Sequence, residues 1–156
     1  MREEAIKLGA YCPIIQHWDN PSPDELARKY IEGIDFCIRN NFPSNEYLKH
    51  NFDGVMQRHG IFVDEYISAT NIRHLVANGS CWGKVEYDGF SYGKIYVRER
   101  SELTVFIKGN AIAHIEMFDK VKVHVVNTGS AEVIVYRYGG KLKTSGNVIV
   151  KNKMAI

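Results

Sequence analysis

The sequence predicts an α+β fold: N-terminal helices followed by a β-repeat array, a short β-solenoid. Three features carry that expectation. Between residues 22 and 52 apolar residues recur at steps of three and four, the spacing of one helix face. From about residue 72 they alternate with polar ones, the spacing of a strand with one buried side. Finally, Val85, Ile95, Val105, Ile115, Val125 and Val135 stand ten positions apart with no insertion between them.

The helices come first. A short one is expected over Glu3 to Leu8. In "SPDELARKYIEGIDFCIRNN", Ser22 stands where an N-cap belongs and Pro23 at the first helical position. Glu25 follows the cap at the capping-box spacing. Leu26, Tyr30, Ile31, Ile34 and Cys37 or Ile38 then form one apolar stripe. "FPSNEYLKHNF" repeats the signal, with Ser44 as cap and Tyr47, Leu48 and Phe52 as its apolar residues. Helices this short do not hold in water alone, so the stripe must pack on something. "HGIFVDEYI" turns to β-forming residues. The chain therefore divides into a helical attachment or capping region, 1–60, and a β-repeat body, 61–156.

Within the body, the odd positions are apolar (Leu103, Val105 and Ile107; Val121, Val123 and Val125) and many even ones are polar (Lys84, Thr104, Lys122). Each decade ends at Gly79, Gly89, Glu99, Gly109, Asp119, Gly129 or Gly139, mostly residues that suit a turn through positive φ. An antiparallel β meander or sandwich would also alternate in this way. Hairpin loops tolerate changes of length, whereas a stacked coil loses its register if it gains one residue. The constant spacing therefore favours the solenoid, in which the column of β-branched residues is the core of a stack.

Composition sets limits on function. No window approaches the ~18 uninterrupted apolar residues of a membrane span. The first residues carry Glu3 and Glu4 and no long apolar run, so no secretory signal is expected, and composition alone points to the cytoplasm. Cys12, Cys37 and Cys81 are odd in number and scattered, which reads as three buried thiols rather than a disulfide framework or a zinc site. The net charge of +2 hides an asymmetry: through residue 70 there are 7 Lys and Arg against 11 Asp and Glu, and from residue 71 there are 13 against 7. The basic residues are spread over strands and corners and mixed with acids, so nucleic acid is not expected as a partner.

Motifs for nucleotide, phosphate, zinc-protease or serine-hydrolase chemistry do not occur. The chain is not expected to be an enzyme or to carry a cofactor or metal. His114 and His124 share a column one decade apart, with Glu116 close by. In a three-arm coil or a meander they would be neighbours able to bind a metal or act as an acid–base pair. In a two-arm coil they face opposite sides. Trp18, in "QHWDN", is a candidate partner contact, and Trp82 is expected to close the junction before the repeats. Outward apolar residues on a flat sheet usually mean that something covers it. Tyr96, Phe106, Val126, Ile134 and Tyr136 are therefore the candidate interface, to be covered either by the N-terminal helices or by a second copy of the chain.

The stretches "ELARKYIEGIDFCIRNNFPSNEYLKHNFDGVMQRHGIFVDE" and "LVANGSCWGKVEYDGFSYGKIYVRE" with the valine-rich repeats after them resemble small proteins of gut Bacteroidales and their tailed phages, including the crAss-like group. The resemblance implies a phage or mobile-element setting, in which such proteins are often head-fibre or decoration components. The expected function is that of a non-enzymatic structural protein, a homo-oligomer (dimer or trimer) that docks on other virion or surface proteins without a membrane. The alternatives are a module binding a glycan or a host surface protein and, third, an enzyme using His114, Glu116 and His124.

Overall fold

Ser22 caps the first long helix as the sequence predicts. Its Oγ accepts a hydrogen bond from the Glu25 amide at 3.3 Å, and its own amide donates to the Glu25 carboxylate at 2.7 Å. The computed structural model describes residues 2–10, 20–52 and 54–156. They fall into two units that divide between His59 and Gly60. The first holds α1 (Arg2–Lys7), α2 (Pro23–Glu32), α3 (Ile34–Asn40), α4 (Asn45–Asn51) and a 3-10 turn at Gln57–His59.

The apolar stripe read from Leu26 to Ile38 runs across a break at Gly33, whose φ of −100° and ψ of 23° leave the helical region. Glycine is among the weakest residues in a helix interior, so the break falls where the backbone is least constrained. Along the predicted stripe, Tyr30, Ile34, Cys37 and Ile38 are buried, and Leu26 and Ile31 are half-buried. Ser44 caps α4 through a bond from the Tyr47 amide at 3.2 Å. Asp24, at the start of α2, accepts from Arg58 at 3.0 Å and meets the His59 ring at 2.8 Å, which fastens that helix end to the 3-10 turn.

The second unit is a parallel β-solenoid of about four turns. One sheet, here sheet A, contains β1 (Ile61–Val63), β3 (His74–Asn78), β5 (Tyr92–Val97), β7 (Ile112–Met117), β9 (Glu132–Arg137) and β11 (Ile149–Asn152). Sheet B contains β2 (Tyr66–Thr70), β4 (Trp82–Tyr87), β6 (Glu102–Ile107), β8 (Lys122–Asn127) and β10 (Lys141–Ser145). Every pairing is parallel, which excludes the antiparallel meander. Parallel neighbours need a long crossover. Here the crossover from one strand of a sheet to the next is the strand of the other sheet with its two corners.

A coil therefore has two arms and twenty residues. Ile95 pairs with Ile115 and Ile115 with Val135 in sheet A, while Val85 pairs with Val105 and Val105 with Val125 in sheet B. All six of these side chains have no exposed surface. They form the centre line of the core between the two sheets.

Corners and two inward exceptions on the strands complete the body. Glu99 and Asp119 take positive φ, 62° and 57°, in the column otherwise occupied by glycine. The cost of that conformation is offset at Asp119, whose carboxylate accepts from the Glu99 amide one coil away at 2.9 Å. Asn127 occupies an inward position that is apolar in the coils before it, and it is satisfied there. Its side-chain amide donates to the carbonyls of Ala131 and Asn147, and its oxygen accepts from the Gly129 amide. Tyr87, the other exception, crosses the interior, and its hydroxyl donates to the Ile72 carbonyl at 2.8 Å.

Candidate functional site

The two outer faces of the solenoid carry nearly all of its polar chemistry. On sheet A the outward columns run Tyr92, Ile112, Glu132; then His74, Lys94, His114, Ile134, Ile149; then Val76, Tyr96, Glu116, Tyr136, Lys151. On sheet B they run Tyr66, Trp82, Glu102, Lys122, Lys141; then Ser68, Lys84, Thr104, His124, Lys143; then Thr70, Glu86, Phe106, Val126, Ser145. Alternate decades therefore belong to opposite faces.

That placement separates residues the sequence had put together. His114 lies on sheet A and His124 on sheet B, so His114, Glu116 and His124 do not meet as one site. His114 instead sets its ring edge against Tyr92 with centroids 5.7 Å apart, and Glu116 lies 3.8 Å from the Lys94 ammonium. Among the described residues no three His, Cys, Asp or Glu side chains gather as a metal-binding group.

The five candidate interface residues also divide. Phe106 and Val126 are on sheet B, and Tyr96, Ile134 and Tyr136 are on sheet A. Tyr96 is only 2% exposed. Trp18 lies outside the described residues. Trp82 does not close a junction: it stands on the outer face of sheet B, 53% exposed, with Tyr66 beside it. Cys81 is buried, and burial pushes its thiol up to about 11, so it stays protonated and donates to the Asn78 carbonyl.

Two features were not anticipated from the sequence. One is a groove of about 460 Å³ on the outer face of sheet B, running from Trp82 past Glu102 and Lys122 to Lys141, with Thr104, His124 and Lys143 in the column beside them. Its signal was a spacing of twenty rather than ten. The other is the extension of the expected interface on sheet A: exposed Ile112 and Ile149 join the half-buried Ile134 in one apolar patch.

His74 is part-buried beside Arg73 and across from Lys94. Burial first, and those two cations next, hold its pKa below the ordinary imidazole value. The fold thus prefers the neutral ring. Its contribution to stability is complete above the unfolded value of about 6.5 and declines as pH falls toward the lower folded value. His74→Gln should flatten the stability curve below about pH 6.5 in urea melts; an unchanged slope would refute this.

The architecture defines a class: a chain with an N-terminal helical unit and a two-arm parallel β-solenoid. Comparison with protein-family models, with curated proteins and with solved structures finds no match.

Proposed function

We propose that this is a non-enzymatic structural protein that self-associates through the outer face of sheet A. The observation that carries this reading is the apolar patch on the later coils. Ile134 and Ile149 are direct neighbours on β9 and β11, Ile112 sits diagonally from Ile134 on β7, and Tyr136 lies two residues along β9. Ile112 is 39% and Ile149 is 49% exposed. A flat parallel sheet cannot rotate such side chains inward, because its inward columns are already filled, so only an external surface can cover them.

A second copy is the occupant the charges favour. Glu132 lies at one margin of the patch, and Lys151 and Lys153 lie over the Tyr136 ring, at 5.4 and 5.8 Å from its centroid. Both signs on one face let a two-fold arrangement bring each copy's carboxylate to its partner's ammonium. A virion, as head-fibre or decoration component, is the setting that the sequence resemblance alone suggests for such an assembly.

Size-exclusion chromatography with light scattering tests the reading. The full chain should run as a discrete dimer, and Ile149→Glu should run as a monomer with an unchanged β signal in circular dichroism. Phe106→Asp, on the opposite face, should keep the assembled mass. A wild-type monomer at every concentration tested would overturn the proposal.

A further inference from the structure

We infer that the groove on the outer face of sheet B is a binding site for an acidic glycan. The groove lies on the face opposite the patch assigned to self-association, so the two proposals stand separately.

The first support is an aromatic platform. Tyr66 and Trp82 are neighbours on β2 and β4, with ring centroids 6.2 Å apart and planes at 51°. Both are more than half exposed, Tyr66 55% and Trp82 53%. Large aromatic side chains left open to water in pairs forgo much of the stabilisation that burial would give them, and such surfaces mark interaction sites. A sugar ring offers an apolar C–H face that stacks on such a plane while its hydroxyls stay in water.

The second support is the order of the groups that follow. One strand beyond Trp82 stands the Glu102 carboxylate, with the Thr104 hydroxyl and then the His124 ring in the adjacent column. Sugar hydroxyls both donate and accept, so a mixture of acceptor, hydroxyl and imidazole suits them. Lys122 is paired with Glu102. Lys141 and Lys143, at the far end, have no ion-pair partner among the described residues. They are the last charged residues on this face, and no Asp or Glu follows them in the sequence. That end of the groove therefore calls for a negative group on the ligand.

Size fits as well. Four strand-to-strand steps separate Tyr66 from Lys141 along one column, about 19 Å at the usual strand spacing. The column is open along the stack, which suits a chain of several sugar units laid across the strands. A single-stranded nucleic acid fits less well. Successive bases need rings spaced along the path on which to stack, whereas the two rings here abut each other at one end. Glu102 would also face the phosphates.

Isothermal titration calorimetry on the full chain tests the site, with short oligosaccharides of galacturonic acid, hyaluronan and heparin as probes and maltohexaose as the neutral comparison. At least one acidic probe should bind, maltohexaose should not, and added salt should weaken binding. Trp82→Ala and the pair Lys141→Glu with Lys143→Glu should each reduce affinity by about tenfold or more. All three side chains are exposed, so these variants should melt like the wild type. Ile149→Glu should bind as the wild type does even where it dissociates the assembly. No binding to any acidic probe, or equal binding by both variants, would overturn the assignment. Tighter binding of an oligothymidylate than of any sugar would overturn it in favour of nucleic acid.

Discussion

Ile115→Asp should abolish the folded solenoid, while His114→Asp, one residue earlier, should leave it standing. Ile115 has no exposed surface and lies between Ile95 and Val135 on the centre line of the core. A carboxylate there would have neither water nor a cation. An unpaired buried charge costs several kcal/mol, comparable with the ~5–15 kcal/mol that holds a typical domain together. His114 points outward on the same strand, and a surface change of this kind typically costs no more than about 1 kcal/mol. Circular dichroism and urea melts of the two variants measure the contrast. Equal losses would mean that the alternation of inward and outward columns is wrong.

The second large effect concerns a contact across the interior. A Cβ on Gly93 would lie 2.3 Å from Cε1 and 2.4 Å from Cζ of Tyr87. Tyr87 cannot move aside, because its ring is fully buried and its hydroxyl is held by the Ile72 carbonyl. Burial also pushes that hydroxyl's pKa upward, so it remains a donor. Gly93→Ala should therefore destabilise the chain by roughly 1–3 kcal/mol, the usual scale of overpacking. In a Tyr87→Leu background the same substitution should cost much less, because the ring it strikes is gone. A double-mutant cycle by chemical denaturation reads the coupling. Additive losses would show that the two residues do not constrain each other.

Much of this architecture was legible because a solenoid writes the same instruction repeatedly. The column from Val85 to Val135 marked the core, and Ser22 and Ser44 marked helix starts through short-range chemistry that needs no tertiary context. The break at Gly33 was harder to see, since the apolar stripe continues across it. The grouping of surface residues depended on the number of arms, which periodicity of ten does not specify. With two arms, Tyr96 and Phe106 share a column in the repeat but not a face. For the same reason Trp82, Glu102 and Lys122 stand in line only when read twenty residues apart, and Lys141 joins them through a shift of one residue in the last coil. Gly93 likewise made no sense as a strand residue until its partner across the coil, Tyr87, was known.

The twenty-residue register also makes the body a ruler. Each coil packs on the coil before and the coil after, so its contacts are complete within one repeat on either side. Duplicating a segment such as residues 92–111 would lengthen the rod by one strand spacing, about 4.8 Å. Neither the first coil nor the last would meet a new neighbour type. The distance between whatever the two ends hold could thus change over evolution in fixed increments, by copying a stretch of gene, with no residue elsewhere needing to adjust.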